Sequence, residues 1–393
     1  MHRMVAPVKE PLYLDFAAST PPADEVVEAM LPWLRHAHAN PHSEHFHGHR
    51  AARAIDDARE AVASLIGGQP EGVVFTSGAT EANNLALKGL LSATGARRHL
   101  WLADTEHKSL REPARYLSRA GVVVTPLAVL GTGLVDISRL TEAWGAPHIT
   151  PGVVAIAHGN NEIGTLQPLP ELAGRAHAYG HLLHVDAAQS AGRIPLDVEA
   201  MDCDLMCVSS HKLYGPGGIG ALYVAPAVQG QLEPQLHGGG QEGGLRSGTV
   251  PAFLAVGFGT AATLARQRIA QDAERQQQLA AGFLAALSGH GVAFQLIGHP
   301  TLRLPGHLSL RFPGVDAEDL LARLAPVLSA STGAACAAGE LRASHVLRAV
   351  GLDERAAGEV IRFTLGRSTR EDDIEVAAER TAVAISRIQE HSG

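Results

Sequence analysis

Two residues able to do chemistry together stand where apolar runs give way to polar, glycine-rich sequence. Lys212 lies in Ser209-Ser210-His211-Lys212-Leu213-Tyr214-Gly215-Pro216-Gly217-Gly218, directly after Asp204-Leu205-Met206-Cys207-Val208, which reads as a buried strand ending in a Gly/Pro turn. A lysine at a strand end, in a dry pocket beside a cation or a carbonyl, loses its proton readily and can form an imine. Asp186 closes a second run, His181-Leu182-Leu183-His184-Val185, ahead of Ala187-Ala188-Gln189-Ser190. A lone carboxylate there is costly unless a cationic partner faces it. Taken singly, Lys212 also fits a surface loop and Asp186 a solvated turn.

Pyridoxal phosphate answers both demands, with an aldehyde for Lys212 and a pyridinium nitrogen for Asp186, which keeps the ring protonated as an electron sink. The cofactor also needs a seat for its phosphate. Gly72-Val73-Val74-Phe75-Thr76-Ser77-Gly78-Ala79-Thr80-Glu81 reads as a strand, a small-residue turn and a helix start. Free backbone N–H groups and the positive end of a helix dipole converge at such a turn. Thr80 adds a hydroxyl, and Ser77-Gly78-Ala79 lets a ligand approach the backbone. A plain N-cap at Thr80 with nothing bound is the alternative.

These residues need elements to hold them on one edge. The strand-then-polar pattern recurs: His99–Ala103 leads to Thr105-Glu106-His107, and Val153–Ala157 leads to His158-Gly159-Asn160-Asn161-Glu162. Helical stretches such as Pro170 to Tyr179 separate the strands, which predicts crossovers and a largely parallel α/β sheet with ligands at its carboxyl ends. His107, Asn161, Asp186, Gln189, Ser209, His211 and Lys212 all fall at such ends. Earlier in the chain, Leu12 to Asp15 reads as a strand, a helix starts near Asp24, and another runs from Ala51 to Leu65 with Gly67-Gly68 as its stop. Between them His36 to His49 holds six histidines; without closed-site ligand spacing it reads as a solvated or substrate-side loop rather than a metal site. A helical stretch from Val250 to about Leu287 leaves the sheet, followed by strands at Ala293–Ile297, His307–Phe312 and Glu359–Leu365.

With 393 residues the chain has ample length for a sizeable core and about two or three domains. Its net charge of -8 and 18% charged residues give neither a nucleic-acid footprint nor a basic membrane face. Three cysteines, Cys203, Cys207 and Cys336, lack framework spacing, so a reducing cytoplasm is expected. Met1 to Glu10 has no apolar signal region, and no run is long enough to span a bilayer. Cys203 and Cys207 flank an apolar run and suit a core. Cys336 sits among Gly333-Ala334-Ala335 and Ala337-Ala338-Gly339, with little bulk to anchor it, and a mobile loop is expected there.

From Tyr13 to about Arg370 the chain resembles the cysteine desulfurases, within the class V branch of fold-type I pyridoxal-phosphate enzymes. The resemblance runs through Asn40-Pro41, Thr76–Glu81, Thr105-Glu106-His107, Asn160–Gly164, His184–Gln189, Ser210–Pro216, His237–Glu242, Arg246–Thr249 and Ser331–Cys336. It implies a seven-stranded-type, mainly parallel sheet between helices (residues 16–262). A smaller α/β domain would be formed by residues 1–15 and 263–393, carrying a catalytic loop at about 329–342.

The resemblance also implies roles. Lys212 would hold the cofactor, Asp186 face its nitrogen, His107 stack on its ring, and Gln189 bond the phenolic oxygen beside Asn161. Ala79, Thr80, Ser209 and His211 would hold the phosphate, with Thr249 reaching across from a second subunit of a homodimer. Asn40 and Arg362 would bind the carboxylate of L-cysteine, and Cys336 would take its sulfur for an acceptor or scaffold protein, in iron-sulfur assembly or another sulfur pathway. No resident metal is implied, although Cys336 would be free to ligate an iron-sulfur cluster in passing. Gly243 stands where the family commonly has arginine and Ala343 where it has proline, and the chain stops at Gly393 without the longer docking tail of some members. A selenocysteine lyase or another class V enzyme, and a non-catalytic sulfur-delivery scaffold, are the alternatives.

Overall fold

The computed structural model describes residues 10–36, 39–92, 95–145, 150–332 and 344–392, so Cys336 and Ala343 lie outside the described residues. The chain enters through β1 (Leu12–Tyr13), α1 (Asp24–Arg35) and α2 (Phe46–Leu65). Strands and helices then alternate: β2 (Val73–Thr76), α3 (Ala79–Leu90), β3 (His99–Ala103), α4 (Lys108–Arg119), β4 (Val123–Leu127), α5 (Ile137–Trp144), β5 (Gly152–Ala157), α6 (Leu169–Ala178) and β6 (Leu182–Asp186). β7 (Leu205–Ser209), β8 (Gly220–Val224) and α7 (Pro226–Gln229) follow, and α8 (Ala252–Gly289) leads away. The rest comprises β9 (Gln295–Leu296), β10 (His307–Arg311), α9 (Ala317–Leu324), β11 (Leu328–Ser329), α10 (His345–Ala349), α11 (Glu354–Ala357), β12 (Val360–Thr364) and α12 (Glu371–Ser392).

Seven strands pair in the order β2-β8-β7-β6-β5-β3-β4. β4, β3, β5, β6 and β7 run parallel, as the alternating sequence predicts, while β8 is antiparallel to β2 and β7. Every residue of β6 and β7 is buried, which is why their sequences are near-continuous apolar runs. Register brings Ala157 opposite Asp186 and Asp186 opposite Cys207, so the carboxyl ends of β5, β6 and β7 form one edge.

Helices cover both faces. Ile55, Val62 and Leu172 pack on one side of the sheet, and Leu85, Leu110 and Leu117 on the other. α8 is long enough, at roughly 1.5 Å per residue, to serve two cores. Its Ala255, Phe258 and Ala262 join the sheet core, whereas Leu279, Phe283 and Leu287 join a second core with Leu14, Phe312, Phe363 and Ile388. That second core backs an antiparallel sheet, β12-β10-β9.

The histidine-rich stretch differs from the loop its composition predicts, because α2 begins at Phe46, ahead of Ala51. His45 caps it, its Nδ1 accepting from Gly48 N–H at 3.1 Å. Phe46 is 72% exposed, so no apolar periodicity marked this turn. β9 is two residues long, shorter than the run Ala293–Ile297 predicts. No helix among the described residues is long and apolar enough to cross a membrane.

Candidate active site

A cavity of about 510 Å³ opens at the carboxyl edge of the large sheet. Asp186 ends β6, Ser209 ends β7, and Lys212 closes the 3-10 turn Ser210–Lys212 that follows. His107 caps α4, and Ala79 and Thr80 open α3. All of these line the cavity, together with Asn161, Gln189, His211 and Arg362. Asn40 and Thr249 are exposed and do not line it. Asn40 is occupied locally, its Oδ1 accepting from His42 N–H at 3.0 Å.

The Lys212 ammonium donates to the carbonyls of Ala17 and Ala18, at 2.6 and 2.7 Å. Gln189 Nε2 donates to the same Ala17 oxygen at 2.9 Å, while its buried Oε1 has no hydrogen-bond partner. Residues 15–20 therefore form a strap across the site. Arg193, buried, donates to Phe16 O at 2.7 Å, Ala17 N–H donates to Thr364 Oγ1 at 2.8 Å, and Thr20 Oγ1 donates to His211 O at 2.9 Å. The sequence reading missed this strap, because its partners lie far along the chain.

Three donors converge on Asp186. Asn83 Nδ2 reaches Oδ2 at 2.8 Å, and Ala188 N–H and the Cys207 thiol reach Oδ1 at 3.0 and 3.2 Å. Burial holds the His107 imidazole below its usual range, and burial with Lys212 nearby takes His211 down to about 4. Both rings are therefore neutral near neutral pH.

The wall also contains a helix start that no side-chain hydrogen bond caps. Gly78, the N-cap of α3, has φ 150° and ψ -179°, a region essentially reserved for glycine. A Cβ placed there would meet nothing within 4 Å. Opposite in charge preference to a cation site, this start of a 12-residue helix suits an anion.

Arg362, on β12, is held from two sides. Its terminal nitrogens donate to Asn161 O at 2.7 Å and Asp15 Oδ1 at 2.6 Å, and its buried Nε has no partner. Cys203 and Cys207 are buried, and burial pushes the first thiol up to about 12 and the second well above its usual value. Neither supplies a thiolate near neutral pH.

The Aminotransferase class-V family profile matches residues 12–376. The chain is 42% identical to "Cysteine desulfurase, mitochondrial" of Drosophila melanogaster, over 97% of this chain and 82% of that protein. It is 39% identical to "Cysteine desulfurase IscS" of Rickettsia bellii, over 97% of this chain and 93% of the relative. Among solved structures, one titled "NIFS-LIKE PROTEIN" superposes with a TM-score of 0.87 at 31% identity, covering 96% of this chain and all of its own.

Proposed function

The chain belongs to the class V aminotransferase family and, within it, to the cysteine desulfurases, and from that premise we propose that it takes sulfur from L-cysteine, leaving L-alanine and a persulfide on Cys336. The observation that carries this reading is the meeting of Lys212, Asp186 and the open start of α3 in one cavity. Those three features fit pyridoxal phosphate: an amine for its aldehyde, a carboxylate for its pyridine nitrogen, and free N–H groups for its phosphate. The unpartnered Gln189 Oε1 and the open space at Gly78 support the same fit.

When bound, the cofactor supplies an electron sink for the charge that develops at the substrate's α-carbon. Lys212 would hold it and then act as the base for the α proton, its side chain oriented by the strap carbonyls. Asp186 would face the ring nitrogen and His107 its face. Ala79, Thr80, Ser209 and His211 would hold the phosphate, and Asn161 would flank the ring with Gln189. Arg362 is a fork suited to a carboxylate, and Asn40, from its exposed loop, is proposed to join it.

The Cys336 thiolate would attack the substrate sulfur. A new S–S bond forms, the C–S electron pair stays with carbon, and a proton completes alanine. The persulfide then passes to a sulfur-acceptor protein, with iron-sulfur assembly among the pathways it would feed. Two further proposals complete the reading. Thr249, exposed on its own chain, reaches the phosphate of a second copy, which makes the working unit a homodimer. The enzyme acts in the reducing cytoplasm, where a reactive free thiol persists.

The test is desulfuration by the cofactor-loaded chain. L-cysteine should yield alanine, and a reductant should release an equal amount of sulfide. Cys336→Ser should keep the cofactor's visible absorbance and lose both products; undiminished sulfide from that variant overturns the assignment.

A further inference from the structure

We infer that Asn83 is a positioning residue that ties the orientation of Asp186 to the tautomer of His107. It stands on α3 with its side chain at 0% exposure, and every hydrogen-bonding atom of its amide is used. Nδ2 donates to Asp186 Oδ2 at 2.8 Å and to Ser109 Oγ at 2.9 Å. Oδ1 faces His184 Nε2 at 2.8 Å.

Proton placement follows from this arrangement. A carboxylate accepts only, so the amide must turn its NH₂ to Asp186 and its oxygen to His184. His184 then carries its proton on Nε2. Ser109 N–H points at His107 Nδ1 from 3.1 Å, so that nitrogen accepts, and Ser109 Oγ, held by Asn83, gives it a second donor at 2.9 Å. His107 Nδ1 is thereby left bare, and the ring's proton sits on Nε2. One amide thus orients the carboxylate directly and, by holding the Ser109 hydroxyl, supports the tautomer of the imidazole; both groups line the cavity. A buried network of this kind is costly if half satisfied, so the loss of Asn83 is felt at both ends.

The inference rests on the proposed reading for its functional meaning, but part of its test does not. In cofactor-free protein carrying ¹⁵N-histidine, with His107 assigned by the signals lost in His107→Gln, Nδ1 should be unprotonated. Ser109→Ala, which keeps the backbone donor but loses the hydroxyl that Asn83 holds, should mix the His107 tautomers without disturbing Asp186. Asn83→Leu, of similar volume, should do the same and also move the pH midpoint of the loaded enzyme's visible absorbance by one unit or more. Both variants should lower kcat for L-cysteine at least tenfold with KM little changed. A wild-type His107 tautomer in folded Ser109→Ala, or in folded Asn83→Leu, overturns the inference, and so does a wild-type absorbance midpoint in folded Asn83→Leu. Should Asn83→Leu not fold, Ser109→Ala decides the matter through the tautomer alone. A wild-type chain that binds no cofactor would instead defeat the functional reading and leave the tautomer measurement standing.

Discussion

At the scale of single residues, burial decides which groups carry protons. Glu106, 1% exposed, places both carboxyl oxygens on Ala157 N–H, at 3.0 and 2.9 Å, beneath the edge where Asp186 sits. Burial outweighs that donor and raises its carboxyl from 4.5 to about 8. Between those values the folded chain holds a proton that the unfolded chain lacks. The associated stability is therefore whole below about pH 4.5 and lost as pH rises through about 8, on the order of a few kcal/mol in all. Glu106→Gln cannot ionise, so its melting temperature should gain on the wild type between pH 6 and pH 9. Thermal unfolding of cofactor-free protein across that range checks this, and parallel profiles would sink it. Sequence made Lys212 and Asp186 legible because each interrupts an apolar run. It hid Asn83, which reads in Glu81-Ala82-Asn83-Asn84 as one more polar helix residue; only the packing of α3 under β6 shows that it is buried.

At the scale of elements, the strand-turn-helix from β2 to α3 shows how much a short sequence can specify. Thr76-Ser77-Gly78-Ala79-Thr80 announces both a turn and an anion seat, and the structure supplies the backbone reason: Gly78 adopts a conformation that costs other residues about 1–3 kcal/mol. Gly78→Ala should still fold, because its Cβ meets nothing within 4 Å. Strain alone should lower the melting temperature by a few degrees, since each kcal/mol shifts it by roughly 2–4 °C in a domain of about 150–250 residues and somewhat less in a chain as long as this one. The same methyl would stand in the space proposed for phosphate, so the cofactor's dissociation constant should rise at least tenfold. Equilibrium dialysis against pyridoxal phosphate measures that, and wild-type affinity in the folded variant would count against the seat. β4 and β8 were harder to foresee. β4 carries Pro126 and exposed Val123 at the sheet edge, and β8 lies antiparallel, without the crossover helix that marks the other strands.

At the scale of the whole molecule, what could not be foreseen is what touches across the sequence: the strap of residues 15–20, and Asp15 braced on Arg362. The domain boundary between residues 262 and 263 remains our proposal; along α8 the packing changes from the sheet core to the second core between Ala265 and Leu279, a few residues further on. The dimer is likewise a proposal, and Thr249 makes it testable. Its segment is fastened to α2 and β2 upstream, where Arg59 grips Glu242 with two bonds of 2.8 Å and Phe75 N–H donates to the same carboxylate at 2.7 Å. Thr249 itself is left exposed. Consider chains carrying Lys212→Ala mixed with chains carrying Thr249→Ala. If Thr249 serves the partner's cavity, each mixed dimer contains one site with both changes and one site with neither. Its activity should then be about half that of the wild type, although the Lys212→Ala homodimer is inert and the Thr249→Ala homodimer binds cofactor at least about tenfold more weakly by losing one charge-assisted hydrogen bond, roughly 1.5–3 kcal/mol. If Thr249 serves its own cavity, no site in the mixed dimer is intact. Assayed at limiting cofactor, the mixture would then do no better than half of the Thr249→Ala homodimer, and the partner-supplied role would be refuted.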